Sequence, residues 1–107
     1  MYDYTFEICK ALNTPQPSRF LVDQRVSESN VILMNISLLD GTREATGLAV
    51  ELAEIANNKI RVIGYSYIGW TIHIKFGDLY TTIDEPSFAV AIHKALCVAF
   101  KIGKSVK

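Results

Sequence analysis

Two histidines hold the positions from which this chain could do chemistry. His73 lies in "GWTIHIKFGD" (69–78), where Trp70, Ile72, Ile74 and Phe76 alternate with Thr71, His73 and Lys75. That alternation predicts a strand with one apolar and one polar face. Carried into the flanking strands, the polar face holds Val62, Gly64, Ser66, Thr71, His73, Lys75, Tyr80 and Thr82. Gly64 opposite His73 would leave a shallow polar pocket. Ser66, Thr71, His73, Tyr80 and Thr82 are therefore the candidate binding residues. The commoner meaning of such a row is the wet side of a half-exposed antiparallel sheet. No second acid, base or nucleophile is tied to His73 by spacing, so no catalytic residue is assigned.

His93 and Cys97 lie four apart in an apolar stretch, so on a helix their side chains meet. The pair could be a thiolate–imidazole couple or the start of a metal site. Zinc needs three or four ligands, and nothing else stands at ligand spacing. A lone cysteine on so apolar a helix is more often an inert core thiol. No metal or cofactor is expected. Glycine-rich phosphate loops, dinucleotide fingerprints, paired-cysteine motifs and nucleophile elbows are all missing. Tyr65, Tyr67 and Trp70 could stack a base, but on the inward face of a sheet they belong to the core.

The elements that must position these residues can be read from periodicity. A short helix is expected over about 4–12, capped by Asp3 or Thr5, with Phe6, Cys9 and Leu12 on one face; Pro15 follows its end. "SRFLVDQRV" (18–26) reads as a strand and "SESN" as its exit turn. "VILMNISLL" (31–39) is either a strand buried on both faces or a short helix, and strand is preferred. Over 42–57 a helix is capped by Asp40 or Thr42. Ala45, Leu48, Ala49, Leu52, Ile55 and Ala56 form its stripe, and Asn57 and Asn58 stop it.

From Lys59 the period becomes two. Strands at about 60–67, 70–76 and 79–83 form an antiparallel meander with turns at Ile68-Gly69 and Gly77-Asp78. Two-residue turns pair Tyr67 with Trp70, Tyr65 with Ile72, Ile63 with Ile74, Phe76 with Leu79, and Ile72 with Ile83. The inward face then holds Ile63, Tyr65, Tyr67, Trp70, Ile72, Ile74, Phe76, Leu79 and Ile83. A last helix spans about 85–102, capped by Asp84 or Glu85, with Pro86 in its first turn. It is apolar on nearly every side, so it needs cover twice: from the sheet, and from helix 4–12 or a second subunit. The fold class is α+β, an antiparallel or mixed sheet with helices packed on it.

Composition bounds the rest. The chain has 107 residues, half of them hydrophobic, which reads as a single domain over 1–107. Surface scaling leaves roughly 6,000 Å² of about 17,400 Å² exposed on folding. Cys9 and Cys97 are the only two cysteines, which suits free buried thiols in a reducing, cytoplasmic setting. "MYDYTFEICK" has no basic n-region and does not read as a signal peptide. No apolar run approaches the ~18 residues a membrane span needs. Net charge is zero, yet residues 1–57 hold eight acids and four bases while residues 58–107 hold seven bases and three acids. Lysines at the C-terminus of a helix suit its dipole; complementary charge between copies, or an anion site, is the sharper reading.

The order helix–strand–strand–strand–helix over 42–102 matches a double-stranded-RNA-binding domain. The residues do not: the last helix opens on "DEPSFAVA", acidic and apolar where phosphate contacts require bases.

From Trp70 onward the chain resembles the C-terminal part of small tailed-phage accessory proteins of the NinX-like and phage ABA-sandwich families. The likeness rests on Trp70 opening an alternating strand, a short turn, Pro86 near a helix start, then Ala91-Ile92-x-x-Ala95-Leu96-x-x-Ala99 and Gly103. It covers about 35 of the 107 residues. It implies helix–sheet–helix layering and a non-enzymatic accessory factor in the host cytoplasm. The expected function is thus a small binding protein, self-associating as a homo-oligomer, that engages a host protein or a small ligand. The alternatives are a nucleic-acid-binding module, or a small enzyme built on His73 or His93 and Cys97.

Overall fold

The computed structural model describes residues 2–23, 30–67, 69–76 and 79–103. It is an α+β fold: α1 (Thr5–Ala11), β1 (Ser18–Asp23), β2 (Asn30–Asn35), α2 (Arg43–Ile55), β3 (Ile60–Ser66), β4 (Gly69–Phe76), β5 (Leu79–Glu85) and α3 (Phe88–Phe100). The strands form two antiparallel sheets, β1-β2 and β3-β4-β5.

The body is layered. α3 packs on β4 and β5 with one side and on α1 and α2 with another. That burial explains its composition: Ala89, Ala91, Ile92, Ala95, Leu96 and Cys97 are all in the core with His93. Alanines let the helices and the sheet approach closely. The double cover that the sequence demands is therefore supplied within one chain. α2 buries Ala45, Leu48, Ala49, Leu52 and Ala56 as its spacing predicts, but Ile55 at its end is exposed. On α1 the buried residues are Thr5, Ile8 and Cys9, and Phe6 faces solvent.

Capping is tighter than the sequence alternatives. Thr42 caps α2, its hydroxyl accepting from the Ala45 N–H, and Ser87 caps α3 by accepting from Val90. Asp84 and Glu85 are strand residues, so neither caps α3; Glu85 instead pairs with Lys94. Asn57 and Asn58 are not in left-handed geometry; among the described residues other than glycine, those with that geometry are Asn13 after α1 and Lys101 after α3.

The meander is present, and the β4–β5 register is as expected, with Phe76 opposite Leu79 and Ile72 opposite Ile83. The β3–β4 register is not. Tyr65 pairs with Trp70, Gly64 with Thr71, Val62 with Ile72 and Ile60 with Ile74, and the register shifts between Val62 and Gly64. The extra residue is Ile63. A bulge reverses the phase of everything before it, so Ile60 and Val62 face the core and Ile63 is 48% exposed. Beyond the bulge Tyr65 and Tyr67 are exposed too, so the inward aromatic cluster reduces to Trp70, packed between Tyr65 (5.1 Å) and Phe88 (4.7 Å).

Residues 31–35 are strand, not helix. The described end of the strand is not covered on both faces, however: Leu33 and Met34 are 62% and 45% exposed. β1 and β2 pair along their whole length, Ser18 with Asn35 through Asp23 with Asn30. Among the described residues neither packs on the body to a comparable degree. The hairpin is an arm, fixed at its base. Ile36 N–H donates to the Pro17 carbonyl (2.8 Å), Gln16 Nε2 to the Ile36 carbonyl (3.0 Å), and Arg19 lies 3.5 Å from Asp40 and 3.8 Å from Glu44. The expected strand end at 24–26, the turn residues 27–29, and Ile68, Gly77 and Asp78 of the expected meander turns lie outside the described residues.

Candidate functional site

The outer face of β3-β4-β5 carries the polar row. Its rungs follow from the register. Arg61, His73 and Thr82 form one rung; Gly64, Thr71 and Asp84 form the next. On the other side of the Arg61 rung, Lys75 stands opposite Tyr80, and the Lys75 N–H donates to the Lys59 carbonyl at 2.7 Å, which extends the ladder past the end of β3. The His73 and Tyr80 rings are 5.5 Å apart and tilted by 49°. Thr71 Oγ1 donates to Asp84 at 2.7 Å.

All five sequence candidates, Ser66, Thr71, His73, Tyr80 and Thr82, thus share this face by register, with His73 at its centre. Ser66 pairs with Gly69 at the far end of β3. The expected pocket of Gly64 opposite His73 is corrected: the bulge puts Arg61 there, and Gly64 faces Thr71. Val62 leaves the row for the inner face, and Arg61 and Lys59 join it. Arg61 was the missed signal. It runs in phase with Ile63 and Tyr65 in "IRVIGYS", so an unbroken strand would bury an arginine among apolar side chains. A glycine within a strand marks where such a phase breaks.

His93 and Cys97 belong to a different structure. The Tyr4 N–H donates to His93 Nε2 at 2.9 Å, so this nitrogen carries no proton. His93 is 1% exposed, and its Nδ1 has no partner among the described residues. Burial lowers its pKa below 6.5, aided by Lys94 and the N-terminal charge, and against Asp3 and Glu7. Burial, with Glu7 and Asp3, raises Cys97 to about 11, so its thiol stays protonated and unreactive at neutral pH. Cys9 is raised by burial and by Glu51. Both cysteines are free and buried.

His93 is the hub of a clasp around the start of the chain. Asp3 Oδ1 accepts from the Thr5 hydroxyl (2.6 Å) and N–H (2.9 Å), and Thr5 Oγ1 accepts from the Leu38 N–H (3.0 Å). Burial pushes the Asp3 carboxyl up, but hydrogen bonds from Ser37 and Thr5 and the nearby His93 outweigh it, leaving the pKa below 3.8. Gly103, at φ +81°, closes on the Tyr4 ring, where a Cβ would collide with Cζ. The clasp ties α1, α3 and the 36–40 segment together; it is a structural use of histidine. Among the described residues no group of three or more His, Cys, Asp and Glu could hold a metal ion.

A groove of roughly 410 Å³ runs beside β3, walled by Val50, Ala53, Ile60, Val62 and Phe88, with Glu54, Asn57 and Arg61 also lining it. Among the described residues no helix is long and apolar enough to cross a membrane.

The fold and site define an α+β protein with an open sheet face and a projecting two-stranded arm. No protein-family model, no curated protein and no solved structure matches this chain.

Proposed function

We propose that this chain is a non-enzymatic interaction protein that self-associates through the β1–β2 arm. The arm carries the reading. A two-stranded hairpin is marginal in water on its own, yet this one stands off the body with Leu33 and Met34 exposed. The register pairs apolar residues with one another, Phe20 with Leu33, Leu21 with Ile32 and Val22 with Val31. A ribbon apolar in both phases suits cover from outside the chain.

The area is of the right size. The chain exposes 7204 Å², about 1,200 Å² more than the ~6,000 Å² its mass calls for. A stable interface buries about 800 Å² per partner. The radius of gyration, 15.3 Å, likewise exceeds the ~13 Å of a globule this long. A second copy is the occupant that brings the same pattern, arm against arm, in an isologous dimer.

The resemblance of the C-terminal part to small phage accessory proteins supplies the setting: a factor in the host cytoplasm that engages a host protein or a small ligand. Native mass spectrometry tests the association. A dimer at twice 12.0 kDa that reverts to monomer in Leu33→Asp/Met34→Asp supports the reading; a monomeric parent chain at micromolar concentration overturns it.

A further inference from the structure

The outer sheet face has the composition of a second binding surface. Lys59, Arg61 and Lys75 are all exposed, and among the described residues none of them has an ion-pair partner. Among the described residues the ion-paired lysine and arginine side chains, Lys94 and Arg19, lie elsewhere. The three cations surround the His73–Tyr80 ring pair: Arg61 is opposite His73, and Lys75 is opposite both Tyr80 and Lys59. Tyr80 is 52% exposed. Three unpaired cations grouped around an open aromatic are not needed for packing, because the core lies on the other side of the sheet.

We propose that this face binds single-stranded nucleic acid. Phosphates sit against Lys59, Arg61 and Lys75, and a base stacks on Tyr80 beside His73. Thr82 offers a hydroxyl along the same track. The physical pattern is an electropositive surface with an aromatic platform, which accepts any base because every base has a π-face. A flat three-stranded face only ~10 Å wide suits a splayed strand. The face itself projects no helix or ribbon into a duplex groove, and Arg19 of the projecting arm is held against Asp40 and Glu44. An acidic peptide satisfies the cations but leaves the aromatic pair without a purpose. The Thr71–Asp84 hydrogen bond places negative charge at one end of the track, so the strand runs from the Lys59–Lys75 end and stops before Asp84.

Fluorescence anisotropy tests this with labelled single-stranded DNA and RNA of about 12 nucleotides, a length within the range one small domain covers, and with the matching duplex. Expected is binding of single strands in preference to duplex, with log K falling against log salt at a slope of about −2, as for three phosphate contacts. Tyr80→Leu keeps an apolar side chain but removes the stack, and weakens binding about 10-fold. Lys75→Gln reduces the salt slope by roughly 0.7. Both positions are exposed, and thermal melts of the two variants superimposable on the parent establish that the fold is intact. Duplex bound as well as single strands, a salt-independent signal, poly-glutamate displacing the strand as well as unlabelled DNA does, or Tyr80→Leu binding like the parent would each overturn the proposal.

Discussion

The body and the arm of this protein use similar residues to opposite ends. In the body, Ile72, Ile74, Ile92 and Leu96 are fully buried between sheet and helices. In the arm, Leu33 and Met34 stand in a strand of the same apolar character and remain open to solvent. What differs is layering. β4 has a helix on one face and strands on both edges, whereas β2 has one strand on one edge. A strand's composition sets what it could bury, and its neighbours decide whether it does. The contrast teaches that burial follows layering, and under the proposed self-association a second copy supplies the layer that the arm lacks.

The largest expected effects therefore lie in the body. Ile72→Ala removes a side chain with no solvent access, a truncation that costs about 2–5 kcal/mol. Thermal circular dichroism should show a melting temperature lower by at least ~8 °C. A smaller drop means that the sheet–helix interface is loose and the contrast with the arm overstated. Gly69→Ala comes next. Gly69 has φ +129°, and a Cβ there lies 2.6 Å from the Glu85 carbonyl oxygen. The opposing atoms, of Glu85 and Pro86, are all backbone and do not yield easily, and the strained backbone alone costs about 1–3 kcal/mol. Gly64→Ala is the control inside the same sheet. It has ordinary φ and nothing within 4 Å, so its melting point should stay within a few degrees.

The clasp gives a pH dependence of intermediate size. His93 has a folded pKa below its ordinary 6.5, so the unfolded chain binds the extra proton first. Its contribution is fully present above pH 6.5 and is lost as pH falls toward the folded value. Asp3, held below 3.8, adds stability that is present above that pH and disappears below it. Melting temperature should fall as pH drops from 7 to 5, and His93→Gln should flatten that slope. An unchanged slope would show that the acid sensitivity belongs to other groups.

Much of this was legible in the sequence. The α+β class, α2 with its stripe, the β4–β5 register and the apolar last helix all followed from periods of 3.6 and 2. Those signals are local and repeated, so single exceptions do not hide them. The β3–β4 register was not legible in the same way, because one extra residue at Ile63 leaves the composition unchanged while reversing the phase. It sets Arg61, which the expected register left unassigned, opposite His73 at the centre of the candidate site. The fate of α3 was undetermined for a different reason. An apolar helix announces that it is covered, and only the tertiary arrangement says that α1 and α2 cover it. The same limit applies to β2: its apolar run suits a strand buried on both faces, and nothing local says that the second layer is missing.

The smallest expected change in stability is the most informative about the arm. Leu33→Thr/Met34→Thr keeps β-forming side chains at exposed positions and removes apolar area that the isolated chain does not bury. Surface changes of this kind stay within about 0.5 kcal/mol, so the dilute protein should melt as the parent does. At high concentration the two should part. A dimer binds the folded state alone, so the parent's melting temperature rises with concentration, and the Thr variant's should not. If instead the variant melts early even when dilute, Leu33 and Met34 support the body from within one chain, and the arm is no different in kind from the rest of the fold.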